Sequence, residues 1–230
     1  MVPAVAIVLA AGSGQRLGTS MPKAFVELAG RPILARAAAA ALASSGIGWI
    51  VVVVPAGHED LAHAMLEHAG THAVVTGGDT RQASVRAALG AIPDDVRLIV
   101  SHDAARPLAS VELFSAVLGA LEGSPEADGV VPVIPLPDTV KRLRAGFVVA
   151  TEDRHELVLA QTPQAFRAPA LREAHARAVE AGLEFTDDAG VLEWAGYRVK
   201  AVAGEPDNFK ITTAEDLARA EALAKEMARG

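Results

Sequence analysis

The stretch LAAGSGQRLG at residues 9–18, followed by PK at 22–23, decides which fold and function this chain is expected to have. An apolar run at residues 4–11 ends abruptly in glycines, where backbone amides can approach an anion without a Cβ in the way. The run predicts a buried strand whose carboxyl end binds phosphate. Arg16 and Lys23 are then predicted to lie in a loop that folds over a triphosphate. The alternative is a glycine turn with two solvated cations, which the same residues would also form.

Two better-known phosphate-binding loops do not fit this stretch. The dinucleotide fingerprint G-x-G-x-x-G requires a third glycine where Leu17 stands, and the strand around 50–54 ends in Pro55-Ala56-Gly57 instead of a ribose-binding acid. A Walker A loop requires Gly-Lys at a distance that neither Gly12 nor Gly14 offers. The loop therefore indicates a different phosphate-binding fold.

The composition favours one well-packed domain and argues against nucleic-acid partners. The 230 residues are 51% hydrophobic, with no low-complexity linker and no repeat, so we predict a single domain over residues 1–230. A net charge of −7 is unsuited to nucleic acid, whose phosphates require clustered cations. The absence of cysteine excludes disulfides and thiolate chemistry. The run at 4–11 is too short to span a bilayer, so we expect no membrane association and a cytoplasmic location.

Strand-like and helix-like stretches alternate along the chain. Such alternation predicts an α/β fold of three layers, with a mostly parallel sheet covered on both faces and ligands at the carboxyl ends of its strands. The strands are expected at 4–11, 49–54, 73–76, 97–101, 128–133 and 198–202. The helices are expected at 33–44, 59–67, 80–89, 111–121, 168–181 and 188–194, with a capping box at 212–215 for a last helix.

A β-hairpin interrupts this alternation. Two prolines precede short β-prone segments at 139–143 and 147–151, which Gly146 separates. The pattern predicts an arm over residues 136–154 that projects from the sheet. Projecting arms often serve dimerisation, and an ordinary surface hairpin has the same pattern.

A polar cluster follows several of the predicted strands, and the fold would gather these clusters at one edge of the sheet. The first cluster is GGDTRQAS at 77–84. Its glycines let the backbone approach a base or a ribose, while Asp79 and Ser84 supply polar contacts. Alternatively, Asp79 merely caps the following helix.

The second cluster, HDAARP at 102–107, offers a metal ligand and a cation. Asp103 suits Mg²⁺, which prefers one or two carboxylates together with phosphate oxygens and water. Arg106 is then available for a second anion. Alternatively, Asp103 and Arg106 form an ion pair that closes a turn.

Two later clusters add hydroxyls and another cation. QTPQAF at 161–166 and Thr186-Asp187-Asp188 suit a polyol phosphate, although helix capping is the ordinary role for Thr186 and the acids after it. Lys210, within DNFKIT at 207–212, can direct its charge at phosphate or lie exposed like any surface lysine.

The seven histidines do not predict a metal site. His58, His63 and His68 are spaced by five residues, which rotates their side chains away from a common helix face. We therefore expect the histidines at the surface.

Taken in order, the motifs AAGSGQRLG…PK, GGDTRQAS, HDAARP, DTVKR, TPQAF, TDD and DNFKIT resemble one family across almost the whole chain. The family is that of the 2-C-methyl-D-erythritol 4-phosphate cytidylyltransferases of the non-mevalonate isoprenoid pathway. The resemblance implies a Rossmann-like nucleotidyltransferase fold and a homodimer joined by the hairpin arm. It also implies Mg²⁺-dependent transfer of a cytidylyl group from CTP to methylerythritol phosphate, which gives CDP-methylerythritol and pyrophosphate.

The resemblance also implies a role for individual residues. The family's nucleotide-binding positions fall on Ala10, Ala11, Gly12, Gly77, Gly78, Asp79, Ser84 and Asp103, with Asp103 also the metal ligand. Its catalytic positions fall on Arg16, Lys23, Arg154 and Lys210. Its acceptor-binding positions fall on Arg106, Thr139, Thr162 and Thr186, and Thr139 and Arg154 would reach into the active site of a second chain. Gly190 departs from the family, whose members often carry serine there.

The residue types suit the chemistry that the resemblance implies. A phosphate oxygen of the acceptor attacks the α-phosphorus of CTP in line, so the protein needs no Ser, Cys or His nucleophile. It needs concentrated positive charge, which Arg16, Lys23, Lys210 and Mg²⁺ would supply. The alternatives are a ribitol 5-phosphate cytidylyltransferase, a guanylyl- or uridylyltransferase of the same fold, and a catalytically silent nucleotide-binding protein.

Overall fold

The computed structural model describes residues 4–12, 14, 21–67, 70 and 72–227, and it confirms the alternation of strands and helices. The strands are β1 (Ala4–Leu9), β2 (Glu27–Leu28), β3 (Arg31–Pro32), β4 (Ile47–Val54), β5 (His72–Thr76), β6 (Leu98–Asp103), β7 (Gly129–Pro135), β8 (Lys141–Arg144), β9 (Phe147–Thr151), β10 (Val158–Ala160), β11 (Gln164–Arg167) and β12 (Val199–Ala203). The helices are α1 (Ile33–Ala43), α2 (Glu59–Leu66), α3 (Arg81–Ala91), α4 (Val111–Glu122), α5 (Ala168–Glu180), α6 (Asp188–Trp194) and α7 (Ala214–Met227).

A mostly parallel sheet organises these elements. Its parallel part has the order β5-β4-β1-β6. β11 lies antiparallel between β6 and β7, β10 pairs antiparallel with β7, and β12 pairs with β7 in parallel. The sequence pattern does not predict β10 and β11, because strands of three and four residues are too short to show a periodicity and depend on their neighbours.

Apolar side chains cover both faces of the sheet. Along β1, Ala6 and Val8 belong to the apolar cluster that includes α1, α2 and α4, whereas Val5 and Ile7 belong to the cluster that includes α3, α5 and α6. Successive side chains of a strand point to opposite faces, so a strand covered on both sides must be apolar throughout. The three-layer prediction is confirmed.

Two local expectations are wrong. The capping box of α7 lies one residue later than 212–215, because the helix begins after Thr213: Asp216 N donates to Thr213 Oγ1 at 3.2 Å, and Thr213 N donates to Asp216 Oδ2 at 2.9 Å. His102 and His175 are not surface residues, since both are buried among hydrogen-bonding partners. Burial of a histidine is invisible to spacing rules because it depends on which side chains surround the ring.

The expected hairpin is present. β8 and β9 pair with each other and with no other described strand. Their turn consists of Ala145 and Gly146, which have φ of 48° and 83°, as a two-residue hairpin turn requires. Leu143, Phe147 and Val148 are exposed, so the hairpin contributes little to the core of its own chain. None of the helices in the described ranges has the length and apolarity needed to cross a bilayer.

Candidate active site

A pocket of about 410 Å³ opens at the carboxyl ends of β1 and β6, next to the start of α3. Open α/β sheets bind their ligands at this edge. Of the residues predicted to bind nucleotide or act in catalysis, the pocket is lined by Ala10, Ala11, Gly12, Lys23, Gly78, Asp79, Ser84, Asp103 and Lys210. Arg16 lies outside the described residues, and its role stays a prediction.

Close backbone packing shapes the glycine-rich side of the pocket. A Cβ on Gly77 would lie 2.5 Å from Ala11 Cβ and 2.9 Å from Ser84 Oγ, which no other residue type could accommodate without a shift. Gly14 has a φ of +63°, and a Cβ there would lie 2.6 Å from Lys23 Cβ. Glycine at both positions therefore lets three separate segments of the chain meet at one place.

The loop before α3 presents a carboxylate to the pocket. Thr80 caps the helix, since its Oγ1 accepts a hydrogen bond from Ala83 N at 3.0 Å. Because Thr80 is the cap, the alternative in which Asp79 only caps α3 is wrong, and Asp79 is exposed in the pocket wall. Ser84 is buried, and its Oγ accepts from Gly78 N at 3.2 Å, which ties the loop to the helix.

Asp103, at the end of β6, lies between two cations. Its Oδ1 is 3.2 Å from Arg81 Nε, and its Oδ2 is 2.7 Å from Lys210 Nζ. Burial alone would raise the pKa of Asp103, but Arg81 and Lys210 outweigh that effect and hold it well below its usual range. Arg106 does not form the alternative ion pair with Asp103, because its Nη1 donates instead to Asn208 O at 2.8 Å.

A chain of buried polar contacts continues from Asp103 into the core, and sequence reasoning misses it. Arg81 Nη1 lies 2.9 Å from Asp188 Oδ2, and His175 Nε2 lies 3.0 Å from Asp188 Oδ1. Burial opposes the charge of Arg81, but Asp188 and Asp103 more than offset it and raise its pKa above the ordinary value. Arg81 and Asp188 lie within the motifs GGDTRQAS and TDD, and this membership is the sequence signal that could have pointed to them. His175 carries no such signal.

Two lysines from distant segments reach the same wall of the pocket. Lys23 begins a short 3-10 helix (Lys23–Phe25), and its Nζ donates to Ile211 O at 2.6 Å. Lys210 directly precedes Ile211, so this hydrogen bond brings the two lysines together. The alternative in which Lys210 is an ordinary surface lysine is wrong, because its ammonium contacts Asp103.

Thr162 lies beneath the pocket and holds the end of β6. Its Oγ1 accepts from Asp103 N at 3.0 Å and lies 3.1 Å from His102 Nδ1. His102 Nε2 is 3.2 Å from Arg106 O. Burial lowers the pKa of His102 to about 4, and a neutral ring with its proton on Nε2 satisfies both contacts. The acceptor-binding roles of Thr162 and Arg106 stay predictions.

None of the five residues predicted for the acceptor site lines this pocket of its own chain: Arg106, Thr139, Arg154, Thr162 and Thr186. Thr139, Arg154 and Thr186 are all exposed. Arg154 Nη1 donates to Pro137 O at 2.8 Å, at the base of the hairpin. Their roles in substrate binding and catalysis stay predictions.

The surroundings of Asp103 fit a metal ion carried by a nucleotide. Within the ranges that the structure describes, no group of three or more His, Asp or Glu side chains is placed to hold a metal. A single carboxylate still suits Mg²⁺ when phosphate oxygens and water complete the coordination. Lys210, with a side chain that is 43% exposed, has room to move away from the carboxylate.

Comparison with known proteins agrees with the motifs. The chain matches the family model described as 2-C-methyl-D-erythritol 4-phosphate cytidylyltransferase over residues 4–226. The protein of that name from Rhodococcus opacus is 44% identical over 225 residues, covering 97% of this chain and 96% of its own. The protein of that name from Nocardia farcinica is 46% identical over 220 residues, covering 95% and 93%. The bifunctional enzyme IspD/IspF of Clavibacter michiganensis is 45% identical over 223 residues, and this chain spans 53% of its length.

Solved structures show the same fold. The 4-diphosphocytidyl-2C-methyl-D-erythritol synthase of Anaerococcus prevotii matches with a TM-score of 0.85 at 31% identity, covering 96% of this chain and 98% of its own. The 2-C-methyl-D-erythritol 4-phosphate cytidylyltransferase of Thermus thermophilus matches with a TM-score of 0.79 at 36% identity, covering 98% and 100%. The Rossmann-like nucleotidyltransferase fold is thereby confirmed. The chain belongs to the 2-C-methyl-D-erythritol 4-phosphate cytidylyltransferase family.

Proposed function

We propose that this protein transfers a cytidylyl group from CTP to 2-C-methyl-D-erythritol 4-phosphate, giving 4-CDP-2-C-methyl-D-erythritol and pyrophosphate. The observation that carries the proposal is the pocket itself, which is lined by Lys23, by Lys210 in contact with Asp103, and by a wall of glycine and alanine backbone. Membership of the family supports the choice of nucleotide and acceptor. Positive charge and bare backbone are what nucleotidyl transfer requires.

The reaction forms one phosphorus–oxygen bond and breaks another. A phosphate oxygen of the acceptor bonds to the α-phosphorus of CTP, and the bond from that phosphorus to the oxygen bridging to the β-phosphate breaks. Both reactants are anions, so the barrier arises mainly from repulsion and alignment. Lys23 and Lys210 lower it by neutralising charge around the α-phosphate, together with Arg16 from the glycine-rich loop. Mg²⁺ held by Asp103 would supply further neutralisation along the triphosphate.

The loop before α3 is assigned to the base and ribose of CTP. Asp79 can accept hydrogen bonds from the amino group of a base, and Gly77 and Gly78 allow the backbone to approach it closely. Backbone groups of Ala10, Ala11 and Gly12 are assigned to the triphosphate, because they follow β1 at the end of the sheet where anions bind.

The acceptor site is assigned to Arg106, Thr162 and Thr186 of one chain and to Thr139 and Arg154 of a second chain. The assignment requires a homodimer, which is supported by the exposure of Thr139 and Arg154 beside a hairpin with exposed apolar side chains. Apolar surface of this kind commonly marks a protein–protein contact. Ribitol 5-phosphate is not favoured as the acceptor, since the family model and the named relatives belong to methylerythritol phosphate enzymes.

The proposal is tested by substrate pairing. The protein is incubated with Mg²⁺, each of the four common nucleoside triphosphates in turn, and either methylerythritol phosphate or ribitol 5-phosphate, while pyrophosphate release is followed. We expect release with CTP and methylerythritol phosphate alone, and none when the metal is chelated. Release with no pairing, or a preference for ribitol 5-phosphate, would reject the proposal.

A further inference from the structure

The segment 181–187 between α5 and α6 is attached to α3 by a buried glutamine. Gln82 Nε2 donates to Leu183 O at 3.0 Å, and Gln82 Oε1 accepts from Phe185 N at 3.1 Å. Gln82 is buried, and the segment contains Thr186, which is assigned to the acceptor. The helix that carries Ser84 of the nucleotide site therefore also fixes the backbone beside the proposed acceptor site.

A second buried glutamine attaches the same segment to the sheet. Gln164, in β11, donates from Nε2 to Asp187 Oδ2 at 2.8 Å and accepts at Oε1 from Ala189 N at 3.2 Å. Asp187 in turn caps α6, because its Oδ1 accepts from Gly190 N at 3.0 Å. The segment is thus held on both sides of Thr186.

Arg81 makes the third attachment, and it is the one that reaches Asp103. Its Nε faces Asp103 and its Nη1 faces Asp188, the first residue of α6. Buried ion pairs seldom add much net stability, because desolvation offsets their attraction. An arginine set between two carboxylates is better explained by the geometry that it imposes, since the planar guanidinium can face two groups at once.

Each of the three nitrogens of the Arg81 guanidinium faces a group of the protein. Nε and Nη1 face the two carboxylates, and Nη2 donates to Ser101 Oγ at 3.4 Å. The side chain is only 22% exposed, although it contributes to the pocket wall. This arrangement suits a residue that positions its neighbours better than one that binds phosphate directly.

We infer that Arg81 is a positioning residue that links the two halves of the active site: by bridging Asp103 and Asp188, it aligns the metal-binding carboxylate with the segment that carries Thr186. The inference rests on the proposed function, because it treats Asp103 and Thr186 as parts of one reaction centre. Loss of the bridge would leave both groups present but misaligned.

The test combines kinetics with a measurement that needs no substrate. Arg81→Lys keeps a cation that can face only one carboxylate, so we expect kcat to fall about 10- to 100-fold, the usual range for residues that orient a metal ligand. Asp188→Asn should raise the KM for methylerythritol phosphate at least about fivefold while the KM for CTP changes less. The double variant should be little worse than Arg81→Lys alone, because both changes break one bridge. Asp188→Glu keeps the carboxylate, so it should show a smaller rise in the KM for methylerythritol phosphate than Asp188→Asn does.

Amide hydrogen exchange of residues 182–187 provides the second readout. Exchange should rise in Arg81→Lys and Asp188→Asn without any substrate. The matched control is Arg172→Lys, since Arg172 also donates to buried backbone, from Nη1 to Leu89 O at 2.8 Å, but lies outside the pocket. It should lower the melting temperature while leaving both KM values and the exchange of 182–187 unchanged.

The outcomes separate the inference from the proposed function. Multiplicative effects of the two substitutions, with unchanged exchange at 182–187, would mean that Arg81 binds the triphosphate directly and would overturn the inference. Lower melting temperatures with unchanged kinetics and no rescue by Asp188→Glu would overturn it as well. A wild-type protein that is inactive with CTP and methylerythritol phosphate, yet shows the coupled change in exchange, would reject the proposed function and retain the bridge.

Discussion

The nucleotide side of the pocket and the hairpin arm are built in opposite ways. Around Asp103, cations from α3 and from the segment after β12 converge on one buried carboxylate, and the contacts join residues far apart in the chain. In the arm, Arg142 Nε lies 2.7 Å from Glu152 Oε1, and Lys141 Nζ donates to Thr151 Oγ1 at 2.6 Å, so the polar contacts are local and exposed.

The two regions also differ in how far they are covered within a single chain. On the nucleotide side, Asp103 is already paired with two cations and the glycine backbone is closely packed, as a preorganised electrostatic site requires. The arm leaves Leu143 and Phe147 66% and 76% exposed, so its structure calls for further contacts. This difference agrees with the proposal that one chain binds the nucleotide and two chains bind the acceptor.

The largest expected effect comes from removing charge on the nucleotide side. Lys23→Ala and Lys210→Ala should each lower kcat about 100- to 1,000-fold, the usual loss for one preorganised donor to a developing charge. The measurement is steady-state pyrophosphate release, with melting temperature to confirm folding. The same loss is expected for Arg16→Ala.

The matched control for the lysines is Lys225→Ala. Lys225 lies on α7, 3.2 Å from Glu221 Oε1, and does not line the pocket. It should leave turnover unchanged. Near-normal turnover in Lys23→Ala and Lys210→Ala would contradict the catalytic role of this wall.

The next-largest expected effect distinguishes the role of the arm from the role of the pocket. Arg154→Ala should raise the KM for methylerythritol phosphate about tenfold or more, as expected for loss of a hydrogen bond from a charged group, and change the KM for CTP much less. Arg142→Ala, on the same arm but paired with Glu152, is the control and should change neither KM. Equal effects of Arg154→Ala on both substrates would count against an acceptor role for the arm.

Mixing two defective variants tests whether the arm acts across a dimer. A heterodimer of Lys23→Ala and Arg154→Ala would have one site with both defects and one site with neither. Activity should therefore reappear when the two variants are mixed and allowed to exchange. If mixing restores nothing while sedimentation shows dimers, the arm serves the site of its own chain.

The smallest effect is a pH dependence of stability at Asp188, the buried carboxylate that Arg81 contacts. Burial alone would raise the pKa of Asp188, but Arg81 and the hydrogen bond with His175 outweigh it and lower the pKa to about 2 from 3.8. A lowered pKa stabilises the folded state above the unfolded pKa, and this stability is lost as the pH falls through the folded pKa.

Urea unfolding of the wild type and of Asp188→Asn measures this contribution. The difference in free energy of unfolding should be about 2 kcal/mol or less near neutral pH and should shrink below about pH 4. Glu173→Gln, on exposed α5 surface, serves as the control. A difference that does not change with pH would mean that Asp188 contributes through packing instead of charge.

Much of the fold could be predicted because buried parallel strands are continuous apolar runs. β4 and β6 follow directly from such runs, and Asp103, at the end of β6, belongs at the edge where ligands bind. β10 and β11 could not be predicted from the sequence, because these short strands form by pairing with β7 and β6. The capping pair of α7 cannot be read from the sequence, because two adjacent threonines each offer a cap and only the start of the helix distinguishes them.

The sequence by itself determined the family, the layered α/β fold and the residues that come to the pocket from the ends of strands, because those signals are local in the chain. Only the tertiary structure decided that Arg81 joins Asp103 to Asp188, that His175 is buried behind them, and that the lysines share a wall. These contacts depend on which distant segments meet in a low-dielectric interior. Spacing rules cannot predict these contacts, because electrostatic interactions and burial depend on distance in space and not on separation along the chain.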